Sequence, residues 1–298
     1  MGKLTQADTN WEPWYKNMAN PELLALIWGL AAAVSWGSGD FSGGFATKSG
    51  SVLGVLFVGY LVSVFLLSFF ALWFGSPTLH VFSFAAAALA GVTGIIGLAA
   101  LYKGLAGGQM GIVAPLAALT TAALPVVVGI ILEGMPPILH IMGFFIASAA
   151  IWLLSVPEKS QSFQWRQISL PIAAGVFLGL SLIFIDQAAE HSVLWSLVVA
   201  RIAAIAVLMA MLLIFRKGSM PPKRNYPIVF LAGIFDTGGY TFYALAASTG
   251  RLDTSAVLAC MYPATTFILA WLLLKERLSG RQWIGVIAAF IAIILIAA

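Results

Sequence analysis

The chain is short of charge. Only 9% of its 298 residues are Asp, Glu, Lys or Arg, whereas soluble globular domains carry about 25%. Hydrophobic residues make up 61% of the sequence, and the mean hydropathy is +1.00. So few charges cannot keep a particle of this size hydrated. The composition therefore indicates an all-α protein that has a lipid bilayer as its solvent.

Groups that carry most enzyme chemistry are also scarce. A single cysteine, Cys260, excludes an internal disulfide and a cysteine metal site. The sequence has no Walker phosphate loop, no HExxH and no GxSxG motif. The formal net charge of +4 forms no dense basic cluster that would bind nucleic acid. We therefore expect no enzymatic activity, no cofactor, no metal and no nucleic-acid partner. The expected partners are a small-molecule substrate and membrane lipid, and the chain can act as a monomer.

The first 21 residues are polar and lack the apolar run of a signal peptide. Trp11, Trp14 and Tyr15 are typical of an interfacial segment, and Pro21 suits the first turn of a helix. After this segment, apolar windows of about 20 residues, the length that crosses a bilayer, recur to the end of the chain. They predict ten spans: 22–41, 51–74, 81–103, 110–132, 138–155, 169–188, 193–215, 227–248, 254–274 and 281–297.

Basic residues near the span ends predict the orientation. Alternate breaks between the spans share a side, and eleven Lys and Arg residues fall on one side against three on the other. The richer side is expected to be cytoplasmic. With ten spans, both termini are then non-cytoplasmic.

A weak internal repeat divides the chain. At an offset of 142, several small residues of spans three and eight are identical, although chance similarity between two Gly/Ala-rich helices is the alternative. The repeat predicts five-helix units at 22–155 and 169–298, joined by a loop at 156–168. A unit with an odd number of spans must be followed by a copy of opposite orientation, and such inverted repeats place a substrate site near the midplane. The matching pairs are Ala90/Ala232, Gly91/Gly233, Gly97/Gly239 and Gly108/Gly250.

Local motifs add a resemblance to a known family. Three segments are similar to signatures of the drug/metabolite transporter superfamily, in its EamA-type branch. They are Ser35-Trp-Gly-Ser-Gly-Asp-Phe, Tyr262-Pro-Ala-Thr-Thr and Leu274-Lys-Glu-Arg-Leu. Lys275 stands where glycine is usual, and Gly285 fits the glycine of the fifth helix.

The first half departs from that family pattern. In the fourth span, Thr120 or Thr121 stands near the position where the family has a proline. The prolines of this span are Pro115 and Pro125 instead. The resemblance implies ten helices around a central cavity in the bacterial inner membrane. It also implies transport of metabolites or drugs, with amino-acid export common among bacterial members.

Charged residues inside spans are the first site candidates, because each costs about 2.5–3.5 kcal/mol at mid-helix. They are Asp40, Asp186, Arg201 and Asp236. Arg201 could form a structural ion pair with Asp186 or Asp236, contact a substrate, or lie solvated at a span end. Asp40 and Asp186 could instead be interfacial acids or helix caps.

Helical spacing groups other polar and aromatic residues onto shared faces. A lipid-facing stripe would not carry so many hydroxyl and carboxyl groups, so we expect these faces to line one cavity. A tyrosine that only bridges helices by a hydrogen bond is the alternative at each position. The predicted substrate-binding residues are Trp36, Asp40, Gln109, Thr120, Asp186, Asp236, Tyr240, Tyr243 and Tyr262.

Span three carries a stripe of glycines that includes Gly97. Such stripes let helices approach closely in lipid, and a sliding surface for a conformational change is the alternative. With Arg201, Gly97 is predicted to have a structural or coupling role.

Taken together, these patterns predict a secondary transporter or facilitator for amino acids or similar small metabolites, acting in export by alternating access. Proton coupling through Asp40, Asp186 or Asp236 and passive exchange are both compatible with the sequence. The alternatives are a lipid or drug flippase of the same architecture and, less well supported, an integral-membrane enzyme.

Overall fold

The computed structural model describes residues 21–47, 51–74, 81–106, 110–155, 169–189, 192–215, 220–274 and 279–297. Apart from one short 3-10 turn at Lys223–Asn225, the regular structure in these ranges is α-helix, with no strand. The helices are α1 (Pro21–Thr47), α2 (Val52–Phe74), α3 (Val81–Ala106), α4 (Met110–Glu133), α5 (Ile138–Ser155), α6 (Ser169–Ala189), α7 (Val193–Phe215), α8 (Tyr226–Thr249), α9 (Leu252–Ala259), α10 (Tyr262–Leu274) and α11 (Gly280–Ala297).

The predicted all-α membrane architecture is confirmed, and each predicted span corresponds to described helix. Nine described segments are long and apolar enough to cross a bilayer, and the tenth, Ile138–Leu154, is apolar but shorter. The ends differ from the predictions by a few residues. The polar N-terminal segment up to residue 20 and the predicted loop 156–168 lie outside the described ranges.

The ninth span is one apolar segment built from two helices. Helix α9 ends at Ala259 and α10 begins at Tyr262, with Cys260 and Met261 between them. Pro263 explains this break, because proline has no N–H to donate to the carbonyl four residues earlier, and its ring clashes with that carbonyl. The corresponding position of the first half, at the 142 offset, is Thr121, and α4 runs unbroken through it.

Large apolar side chains cover the outside of the bundle. In α2, Phe65, Leu72 and Trp73 are each about three-quarters exposed, and Ile294 of α11 is 66% exposed. The interior instead contains many alanines, glycines and serines, which let helix backbones approach closely. This distribution suits a protein with hydrocarbon outside it.

The closest helix packing joins the two halves of the sequence. Helix α1 packs along α8, α3 along α6, and α5 along α11, while α4 contacts α6 and α1 contacts both α9 and α10. Helices α1 and α8 are antiparallel, because Ala25 lies at Gly250 and Gly43 lies at Ala232. Neither half therefore forms its core alone.

Glycines at these contacts occupy matched places. Gly97 of α3 lies against Leu178 of α6, where an added Cβ would come within 2.8 Å of the Leu178 Cγ. Gly239 of α8 lies against the ring of Trp36 of α1. Gly97 and Gly239 are 142 residues apart, and so are Trp36 and Leu178. The second contact is therefore the first one with the two halves exchanged. Gly97 thus packs closely against α6, and its structural or coupling role stays a prediction.

A second pair of contacts follows the same rule at the α5–α11 interface. Gly143 lies against Ile296, and Gly285 lies against Leu154. Here too, an offset of 142 converts one contact into the other. The offset found in the sequence therefore reappears in the three-dimensional contacts.

Candidate functional site

An ion pair lies at the centre of the candidate site. The Nη2 atom of Arg201 on α7 is 2.7 Å from Oδ2 of Asp236 on α8, with the Arg201 side chain 4% exposed and the Asp236 side chain 29% exposed. A charge so deeply buried requires an opposite charge. Of the partners considered from the sequence, Asp236 is the one that the structure provides.

Two aromatic rings complete the surroundings of the Arg201 guanidinium. Its Cζ atom lies 4.4 Å from the ring centroid of Tyr60 and 4.3 Å from that of Tyr240. Both distances are within the range of a cation–π interaction. The positive charge is thus held by a carboxylate and by two aromatic faces.

Two adjoining cavities, of about 60 and 80 Å³, lie next to this pair. Both are lined by Trp36, Asp40, Tyr60, Leu98 and Asp236. The larger cavity also reaches α4, α6 and the break in the ninth span, so that it draws residues from both halves. Its further lining residues include Thr121, Leu178, Leu182, Tyr240, Cys260 and Tyr262.

The cavities lie toward one end of the bundle, which we call the Asp40 face. It is the end that holds the last turns of α1 and the first turns of α2 and α8. The smaller cavity is lined there by Gly43, Val55 and Val229, and Asp40 itself is exposed. A solute could therefore reach the aromatic residues from this end.

The opposite end, which we call the Arg251 face, has a separate pocket of about 510 Å³ that is lined by Arg251 and Thr254 and shares no lining residue with the two cavities. Each residue of α9 is buried, from Leu252 at 1% exposure to Ala259 at 0%. Cys260, which follows α9, reaches the larger cavity. Helix α9 thus separates the cavity from the Arg251 face.

Arg251 anchors the outer end of α9. Its Nη2 lies 2.8 Å from Oδ2 of the fully buried Asp253, and its Nε lies 3.7 Å from Oε2 of Glu133 at the end of α4. Nη2 also donates to the carbonyl of Gly134 at 2.7 Å. The hydrogen bond with Asp253 raises the pKa of the Arg251 guanidinium above its ordinary value, so the group stays charged at neutral pH.

Five of the predicted substrate-binding residues line the larger cavity: Trp36, Asp40, Asp236, Tyr240 and Tyr262. Trp36 stands edge-on to Tyr240, with ring centroids 5.1 Å apart. These side chains come from α1, α8 and α10, which the sequence places far apart. Their binding of a substrate stays a prediction.

Three of the other predicted residues, Tyr243, Thr120 and Asp186, do not line these cavities. Tyr243 is 0% exposed, and its hydroxyl donates to the carbonyl of Leu182 at 3.1 Å, which is the bridging role considered for any tyrosine. Thr120 packs against Gly175 of α6. Asp186, near the end of α6, accepts a hydrogen bond from Gln187 and lines neither of these cavities. Gln109 lies outside the described residues.

Sequence reasoning missed seven residues that line the larger cavity: Tyr60, Leu98, Leu101, Thr121, Leu178, Leu182 and Cys260. Tyr60 could have been found, because a tyrosine inside an otherwise apolar span needs a polar partner for its hydroxyl. Leu98 carries no such signal, since leucine is common on every face of these helices.

Comparisons with known proteins are consistent with this geometry. The EamA-like transporter family matches residues 165–298. A solved structure described only as a crystal structure of a protein aligns with a TM-score of 0.78 at 15% identity, covering 91% of this chain and 95% of the other. That likeness shows the fold alone. No curated protein matches the chain.

Proposed function

We propose that the chain is a secondary transporter or facilitator for amino acids or similar small metabolites, because residues 165–298 match the EamA-like transporter family. The observation that carries the proposal is the cavity at the meeting of the two halves, lined by residues of α1 to α4 and of α6, α8 and α10. In transporters with internal repeats, the substrate site lies at such an interface.

Alternating access is the mechanism that we propose. The matched contacts of Gly97 with Leu178 and Gly239 with Trp36 support two halves related by a two-fold axis. Five spans in each half would place that axis in the membrane plane. Exchange of the two packing arrangements would then close the Asp40 face and open the Arg251 face.

The cavity lining supports the proposed cargo class. Asp40 could bind an ammonium group, and Trp36, Tyr240 and Tyr262 could pack against an apolar or aromatic side chain. We place the protein in the bacterial inner membrane, as the family resemblance implies. Both termini are then non-cytoplasmic, because the basic residues concentrate at the other ends of the spans. The Asp40 face is then cytoplasmic, which suits loading for export.

Flux in liposomes that contain only this protein tests the proposal. Labelled amino acids and small metabolites are offered with and without a pH gradient, and empty liposomes are the control. We expect saturable flux of at least one amino acid or related metabolite. A gradient-driven gain would indicate proton coupling, whereas its absence would indicate facilitated diffusion. Flux no greater than that of empty liposomes across a broad panel would contradict the proposal.

A further inference from the structure

The charges around the cavity do not balance. Arg201 contacts three residues of the lining: its guanidinium is paired with Asp236 at 2.7 Å and lies between the rings of Tyr60 and Tyr240. Arg201 lines neither cavity, and its side chain is 4% exposed, so it offers little to the carboxylate of a substrate held there. The ion pair is neutral as a unit.

Asp40 is the remaining charge in the lining. It borders both cavities, and no ion pair to its carboxylate is present among the described residues. The part of the lining that the structure describes therefore has one net negative charge. A positively charged solute would balance it, whereas an anion would be repelled by Asp40 and by the second carboxylate, Asp236.

The aromatic residues strengthen the same preference. Trp36, Tyr240 and Tyr262 line the cavity together with Asp40, and the faces of such rings attract ammonium groups by about 0.5 to 2 kcal/mol each. The cavity volume of about 80 Å³ suits a compact head group rather than a long chain.

We propose that this cavity recognises the ammonium group of a small amine, with Asp40 as the counter-ion, and that it discriminates against carboxylates. The proposal rests on the proposed transport function, and it specifies which group of the cargo is recognised: the ammonium group of an amine or another organic cation. An amino acid would be bound through its ammonium group, with its carboxylate unrecognised by Arg201.

Three probes of one shape test the charge preference: tert-butylammonium, pivalate and tert-butanol. Each is titrated at neutral pH and constant ionic strength into the purified full-length protein, and the dissociation constant is obtained from the rise in melting temperature. We expect tert-butylammonium to bind roughly tenfold or more tightly than pivalate and tert-butanol. Equal or tighter binding of pivalate, or no stabilisation by the amine, would overturn the proposal.

Substitutions of single acids test whether Asp40 causes the preference for the amine. D40N should remove it, D40E should keep it, and D186N, which changes an acid outside the cavity, should leave it unchanged. If D40N does not fold, loss of the preference in D40E would count against the proposal, and an unchanged preference in a folded D40N would also overturn it.

Flux of the same amine separates the two proposals. Amine binding without flux of any solute contradicts transport alone, whereas flux of other solutes without amine selectivity contradicts the ammonium site alone.

Discussion

Removal of the Asp236 charge should strongly destabilise the protein, because it strands the Arg201 guanidinium. In D236N the side-chain shape is kept, but a cation that is 4% exposed loses the carboxylate 2.7 Å away. Breaking a buried ion pair by removal of one partner costs about 3–5 kcal/mol. Because Asp236 is 29% exposed and the two tyrosine rings remain, we expect the lower end, about 3 kcal/mol.

A double-mutant cycle measures this coupling. The free energy of unfolding is determined in one detergent for wild type, D236L, R201M and the double variant R201M/D236L, which form the cycle. D236N is measured beside them as the shape-preserving change, and D186N is the control for loss of an acid outside the cavity. Replacement of both charges by apolar groups is often neutral or stabilising, so the double variant should be more stable than D236N. If D236N is as stable as wild type, or if the single losses add in the double variant, the reasoning about the buried pair is wrong.

Three further changes test other parts of the structure. G97L should lower expression and melting temperature, because its new Cβ would meet Leu178 at 2.8 Å. G44L, which has open space around it, should behave as wild type. Equal melting temperatures of the two variants would contradict the packing. P263A should restore a helix hydrogen bond across the break, so we expect a higher melting temperature and slower flux; unchanged flux would show that the break has no part in transport. R251Q leaves the fully buried Asp253 without its counter-charge and should lower the free energy of unfolding by about 3 kcal/mol. A loss below about 0.5 kcal/mol, typical of surface changes, would exclude a structural role for Arg251.

The helices could be predicted well from the sequence, because a bilayer fixes their length and excludes charge from them. The EamA-type resemblance is confirmed by the family match over residues 165–298. The break in the ninth span was not predicted, although Pro263 was recognised within a motif. Whether such a proline kinks a helix or ends it depends on the packing around Cys260 and Met261, which local sequence does not contain.

The site was harder to predict, because the rotation of each helix about its axis is set by its neighbours. Thr120 and Thr121 differ by one residue, which is about 100° of rotation in a helix of 3.6 residues per turn, and only Thr121 lines the cavity. Tyr240 and Tyr243 share a face by spacing, yet Tyr243 is 0% exposed and its hydroxyl donates to the Leu182 carbonyl of α6. Helix α7 contacts both α6 and α8, so the pairing of Arg201 with Asp236 rather than with Asp186 depended on the rotation and depth of each helix, which local sequence does not contain.

Modification of the single cysteine gives the most direct test of whether solute passes through the cavity between the halves. Cys260 is the one cysteine of the chain, and it lines the larger cavity at the helix break. Proteoliposomes that transport a labelled solute are treated with methyl methanethiosulfonate, and the extent of labelling is measured by mass spectrometry. We predict that labelling of Cys260 blocks flux, that excess solute slows the labelling, and that C260A retains flux after treatment. Unchanged flux through fully labelled protein would contradict the account.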